Sequence, residues 1–265
     1  MTWEETVLWL REQNDKRELV MASYFDDPLP DAAERFNNSS EWKAVQKILA
    51  DSKKGKALDI GAGRGISSYA LAKDGWEVTA LEPDNSEIVG TGAIEKLIAE
   101  SGLKIEIVQT YGEKLPFEDN TLDFVNARQV LHHAQDLKLL CKEIFRVLKK
   151  NGILLASREH VLNNRNELQI FLDSHELHKF YGGENAFTLD EYRNALTEAG
   201  FDTIKILKTY DSDINLFPVT KVDIRNNIKT KLKFNVPDFL FNLLLKRMNN
   251  QNNVPGRLFS FVCVK

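Results

Sequence analysis

Three glycines and two carboxylates offer the first chemistry in this chain. The segment Ala57-Leu58-Asp59-Ile60-Gly61-Ala62-Gly63-Arg64-Gly65 runs an apolar strand pattern into Gly61, Gly63 and Gly65. Glycines there remove Cβ atoms, so the backbone can turn sharply and come close to a ligand. The N–H groups of such a loop, and of the helix behind it, favour electron-rich or anionic groups. Glu82 stands where the next strand ends. A carboxylate at that place accepts hydrogen bonds from both hydroxyls of a ribose, whichever nucleoside is bound. The nicotinamide-dinucleotide fingerprint is GxGxxG, with an acid about 20 positions on. Here the spacing is GxGxG and Ile66 occupies the last fingerprint position, which disfavours a nicotinamide-dependent oxidoreductase.

All 5 histidines lie between positions 132 and 178. Glu159 and His160 follow a strand at the carboxyl edge, where open parallel sheets bind ligands. An unperturbed imidazole titrates near neutrality, so His160 reads as the general base, with Glu159 and His133 as alternatives. His175-Glu176-Leu177-His178 has i, i+3 spacing and is not HExxH, and no CxxC or Cys/His cluster occurs, so no metal site is expected.

These residues need a frame. Thr2 and Glu5 fit a capping box, and Trp3, Val7, Leu8 and Leu10 recur at helical spacing. Asp27-Pro28-Leu29-Pro30 ends that helical stretch, and a second helix is expected from Ser40 to Ala50. From Lys56 onward, short apolar runs alternate with helices. Strands are expected at 56–61, 76–82, 104–109, 121–127 and 152–157, and helices at 66–73, 86–101 and 136–149. A helix at 188–199 and strands at 203–209 and 259–264 complete the chain. Such alternation predicts a doubly wound α/β sheet with helices on both faces. The divisions read as a helical cap (1–50), a core (51–210), an insertion expected to join the N-terminal helices as a substrate cap (211–257) and a last core strand (258–265). The basic stretch Lys221–Lys233 reads as a solvated face. Phe239, Leu240, Phe241, Leu243, Leu244 and Leu245 read as core packing against the sheet edge, with a greasy acceptor or a membrane surface as the alternative.

Composition narrows the partners. Lys plus Arg is 35 and Asp plus Glu is 39, a net charge of −4, which argues against broad nucleic-acid binding. Two cysteines in 265 residues do not make a disulfide framework. No secretory signal pattern and no run of about 18 apolar residues is present, so a cytoplasmic protein without stable membrane insertion is expected.

Four segments in order then resemble the class I S-adenosylmethionine-dependent methyltransferases, in the small-molecule branch that includes quinone-biosynthesis enzymes. They are ALDIGAGRG (57–65), ALEPD (80–84), YGEKLPFEDNTLDFV (111–125) and LHHAQDLKLLCKEIFRVLKKNG (131–152), with FTLDEYRNALTEAGF (187–201) as the usual late helix. The resemblance implies a seven-stranded Rossmann-like sheet whose last strand is antiparallel, and S-adenosylmethionine as cofactor. It places Asp59 and the Gly61-Ala62-Gly63 turn along the methionine part, Glu82 on the ribose and Pro83 on the adenine face. Tyr111 replaces the family's usual aspartate at the adenine amino group, beside Gly112 and Glu113. Ala127 and Arg128 fall at backbone positions near the methionine amino group. The implied activity is methyl transfer to an oxygen, nitrogen or carbon of a small-molecule acceptor, a hydrophobic one included. A non-catalytic sensor or scaffold that binds the same cofactor is the competing reading.

Overall fold

The architecture is that of a computed structural model, which describes residues 1–265. The strands are β1 (Lys56–Ile60), β2 (Glu77–Leu81), β3 (Ile105–Val108), β4 (Leu122–Arg128), β5 (Leu148–Leu162), β6 (Phe187–Thr188), β7 (Thr203–Leu207) and β8 (Arg257–Val264). The helices are α1 (Trp3–Glu12), α2 (Arg17–Ala22), α3 (Leu29–Asn37), α4 (Ser40–Ile48), α5 (Ile66–Lys73), α6 (Thr91–Ser101) and α7 (Leu137–Val147). They continue as α8 (Leu168–Ser174), α9 (His178–Tyr181), α10 (Leu189–Ala199), α11 (Asp213–Leu216), α12 (Lys221–Leu232) and α13 (Asp238–Gln251).

The sheet runs β3-β2-β1-β4-β5-β8-β7, and β6 pairs with the end of β5. Strands β1 to β5 are mutually parallel along this path, and β8 is antiparallel to both β5 and β7. The chain order reverses between β1 and β4, and the crevice at their carboxyl ends is where such sheets bind ligands.

Each face is closed by helices for a readable reason. In α7, Leu137, Leu140, Cys141, Ile144 and Val147 are buried at helical spacing, and the Asp136 side chain accepts from the Leu139 N–H at 3.0 Å to cap the first turn. That stripe packs with Tyr192 and Leu196 of α10 on one face of the sheet. On the other face Phe36, Trp42, Leu71, Ile94 and Leu97 meet Trp76 and Phe124. Each such side chain stabilises the fold by roughly 1.5–3 kcal/mol when taken from water.

Three sequence expectations shift. Pro28 does not only end a helix: it is the N-cap residue of α3, and Pro30 sits in its first turn, where a missing N–H costs nothing. Strand β5 extends well beyond 152–157, through a register irregularity between Ala156 and Glu159 with Arg158 at φ +60°. A bulge re-aims the strand, and Glu159 and His160 lie beyond it. The insertion forms α11 to α13. Phe241 and Leu245 are buried there, but Phe239, Leu240 and Leu243 are exposed, so only part of that apolar segment packs inward. No helix is long and apolar enough to cross a membrane.

Candidate functional site

A cavity of about 510 Å³ opens at the carboxyl ends of β1, β2 and β4. At one end lies the glycine turn. Gly61, Gly63 and Gly65 have φ of +61°, +54° and +79°. A Cβ on Gly61 would stand 2.7 Å from Val130 Cγ2, so the turn is closely packed from below. Arg64 is buried. Its guanidinium donates to the carbonyls of Tyr24 and Asp26 at 2.7 and 2.9 Å and to the Asp27 carboxylate. The N-terminal helices are thereby tied to the turn, and Trp3, Tyr24 and Phe25 roof the cavity.

Glu82 is 4% exposed and faces the cavity. Its Oε2 accepts from the Gly63 N–H at 2.7 Å and its Oε1 from the Asp84 N–H at 3.0 Å. Burial raises its pKa, against the pull of those two N–H groups. Both oxygens keep lone pairs for further donors. Asp59 is held by Ser68 Oγ at 2.6 Å and Asn126 Nδ2 at 2.7 Å. Burial pushes its pKa up to about 6. Ala62, Pro83, Tyr111, Gly112 and Glu113 also line the cavity. Tyr111 is two-thirds exposed, and a Cβ on Gly112 would meet Leu140 Cδ1 at 2.7 Å. Glu113 Oε1 accepts from the Gln135 N–H at 3.0 Å.

One expected cofactor position is placed differently: Ala127 is fully buried and does not line the cavity. Arg128, expected there by its backbone, does line it, and its guanidinium pairs with Glu41 at 2.7 and 3.1 Å, because a buried cation needs a carboxylate partner.

The other end of the cavity is ionisable. His132, His133, His175, Tyr181 and Glu184 line it. The His133 Nδ1 lies 3.1 Å from the Gly183 carbonyl, which assigns the N–H to that nitrogen and leaves Nε2 with a lone pair. Glu159 is not a free base. Its carboxylate accepts from the N–H groups of Val130, Leu131 and His132 and lies 2.7 Å from His132 Nδ1, wholly buried. His160 does not line the cavity. Burial and the neighbouring His132 charge lower its pKa to about 3, so it cannot take a proton at neutral pH. Burial alone would lower His132 too, but Glu159 and Glu184 outweigh it and raise the pKa to about 9. Glu184, Tyr181 and His175 were not singled out for chemistry in the sequence. Only the fold brings their loop against the His132-His133 turn. The one available sign was that this loop, Tyr181 to Asn185, precedes a capped helix and contains two adjacent glycines.

No residue of 211–257 lines the cavity, so the insertion does not cap it.

The residues at the first end fit an adenosyl sulfonium. The fit rests on the buried Glu82 carboxylate aimed into the cavity beside a turn that a Cβ would fill. The comparisons agree. A family model described as "Methyltransferase domain" matches residues 58–156. An uncharacterized protein of Methanocaldococcus jannaschii is 29% identical over 190 residues, 70% of this chain and 81% of that one. The ubiquinone biosynthesis O-methyltransferase of Rickettsia conorii is 30% identical over 128 residues, 48% of this chain and 43% of that one. The structure of phosphoethanolamine N-methyltransferase 2 from Haemonchus contortus, in complex with phosphomonomethylethanolamine and S-adenosylhomocysteine, superposes with a TM-score of 0.57 at 17% identity. It covers 92% of this chain and 60% of that one.

Residues 58–156 carry a methyltransferase domain of the class I S-adenosylmethionine-dependent type.

S-adenosylmethionine is the cofactor of this methyltransferase, and Glu82 and the Gly61–Gly63 turn line the cavity that would take it. The chain spans under half the length of the Rickettsia relative.

Proposed function

We propose that this methyltransferase methylates an oxygen or nitrogen of a small-molecule acceptor bound between the glycine turn and the His133–Glu184 end of the cavity. One observation carries the reading: a single continuous cavity joins Glu82 and the glycine turn to His133, His175 and Glu184. The likeness to the Rickettsia ubiquinone biosynthesis O-methyltransferase supports a small hydroxylated ring as one acceptor class.

The bound cofactor supplies an electrophilic methyl group on a sulfonium. The chain's part is to align an acceptor lone pair with it, an effect of orientation. Trp3, Tyr24 and Phe25 exclude water from above. As the acceptor's lone pair forms the new bond, its O–H or N–H proton must leave, and the His133 Nε2 lone pair faces the cavity to receive it. The His132 ring, set by Glu159, backs His133 at a centroid separation of 4.1 Å.

The test is purified protein with methyl-labelled S-adenosylmethionine and a panel of phenols, catechols, hydroquinones and amines. Acceptor-dependent formation of S-adenosylhomocysteine is expected. Tight cofactor binding with no turnover across the panel would favour the sensor or scaffold reading.

A further inference from the structure

The imidazoles of His132 and His160 and the carboxylate of Glu184 come from three separate segments and are all buried. Their ligand atoms lie within 4.8 Å of one another. Each of the three is also held from behind. His132 Nδ1 is 2.7 Å from Glu159 Oε2. His160 Nδ1 is 2.8 Å from the Gly256 carbonyl. Glu184 Oε1 accepts from the Tyr181 hydroxyl at 2.7 Å. With both Nδ1 atoms so engaged, the Nε2 of His160 carries a lone pair, and that of His132 carries the proton that a bound cation would displace. The remaining carboxylate oxygen, Glu184 Oε2, is 3.7 Å from His132 Nε2. His133 Nε2 stands 3.8 Å from that same oxygen, on the cavity side.

We propose that His132 Nε2, His160 Nε2 and Glu184 form a site for one first-row divalent cation, of the manganese, cobalt or zinc type, open toward the acceptor end of the cavity. Two imidazoles and one carboxylate are a donor set suited to these ions. Metal-bound histidines nearly always donate the other ring N–H to a carboxylate or a backbone carbonyl, and both do so here. Bonds of about 2.0–2.2 Å would draw the donors together slightly. The Glu184 side chain, which follows Gly182 and Gly183 in a loop with no atom within 4 Å of where a Cβ on either would stand, can supply that movement. The low basicity of His160 is no obstacle, since the neutral imidazole is the ligand form.

The role of such a cation rests on the methyl-transfer reading, but its binding does not. It would hold an acceptor oxygen and lower that group's pKa. The proton would pass to His133 Nε2 or to water. The oxygen lone pair would then form the bond to the methyl carbon while the carbon–sulfur pair stays on sulfur. The competing occupant of the gap is a proton shared by His132 and Glu184.

The experiment is cobalt(II) titration of the cofactor-free, tag-free protein, read by visible ligand-field absorption, with metal content measured on protein purified without chelator. One equivalent of cobalt with intense visible bands is expected. Glu184→Gln and His160→Gln should each weaken cobalt binding by at least about 100-fold while keeping a cooperative thermal transition. Tyr181→Phe, which loosens only the carboxylate's outer partner, should weaken it by roughly tenfold. Absence of the bands in the wild-type protein, or bands that persist in both ligand variants, overturns the proposal. Should His160→Gln fail to fold, Glu184→Gln decides, because its side chain sits on a loop at the cavity wall. Calorimetry with S-adenosylmethionine on the same samples separates the two readings. Cobalt without cofactor binding would remove the methyltransferase reading and leave the site. Cofactor without cobalt would do the reverse.

Discussion

Glu82 and Asp59 are both buried acids at the mouth of the first strands, yet they do different work. Glu82 has its two oxygens oriented by backbone N–H groups and keeps lone pairs toward the cavity. Glu82→Ala removes charge-assisted hydrogen bonds of about 1.5–3 kcal/mol. Calorimetry should show S-adenosylmethionine binding weakened roughly 10- to 100-fold, and a dissociation constant within threefold of wild type would refute the ribose role. Asp59 instead turns inward to Ser68 and Asn126. Its pKa rises from 3.8 unfolded to about 6 folded because burial penalises the charge. The folded state therefore holds the proton more tightly, and stability falls as pH rises from 3.8 through 6. Above pH 6 the buried charge costs up to about 3 kcal/mol. Asp59→Asn should melt higher than wild type at pH 7.5 in cofactor-free protein, and the gap should close as pH is lowered to 4. A gap that widens on acidification would contradict the account.

At the scale of elements, the cavity depends on two turns that leave the sheet at its carboxyl edge. The first follows β1. Gly61 combines φ +61° with a Cβ position 2.7 Å from Val130, whereas Gly75 has φ +88° and open space around it. Left-handed backbone costs an ordinary residue about 1–2 kcal/mol. Gly61→Ala should therefore lower stability and also weaken cofactor binding more than tenfold, because Val130 and the turn must move apart. Gly75→Ala should lower stability alone, with the calorimetric affinity unchanged; equal effects of the two on affinity would count against the close packing of the turn. The second is the bulge in β5. It leaves Arg158 at φ +60° and places Glu159 where it accepts from three consecutive N–H groups of the Val130–His132 turn. Backbone in such regions persists only where neighbours hold it. The hydroxyl of Tyr192 in α10 does part of that holding, donating to the His160 carbonyl at 3.0 Å.

Across the whole molecule, the N-terminal helices are joined to the sheet by charge. Glu41 on α4 is 1% exposed and pairs with Arg128, while Arg158 lies 4.0 Å from the same carboxylate. Burial alone would lower the Arg128 pKa, but Glu41 outweighs it and raises it; burial lowers that of Arg158. One carboxylate thus faces two guanidinium groups. Glu41→Gln leaves both cations buried without a counter-charge, a loss of roughly 3–5 kcal/mol. Urea unfolding at pH 7 should show that drop; a loss under 1 kcal/mol would mean that the pair is dispensable. Arg64 makes the second tie, to the Tyr24–Asp27 segment. Together they hold Trp3 and Tyr24 over the cofactor end of the cavity.

The alternation of apolar runs and helical stripes was enough, read along the chain, to specify the parallel sheet. Likewise the glycine spacing specified the tight turn after β1, because it is a pattern of five consecutive residues, and Glu82 was legible as the acid that ends the next strand. Neither Arg128 nor Glu159 could be read that way. Glu159 reads as a candidate base and Arg128 only as a backbone position, but which carboxylate or N–H group reaches their side chains depends on how α4 and the β5 bulge pack. The meeting of His132, His160 and Glu184 belongs to the tertiary structure as well. These residues are 24 to 52 positions apart in the sequence, and no local periodicity relates a strand end to a glycine loop that folds across it.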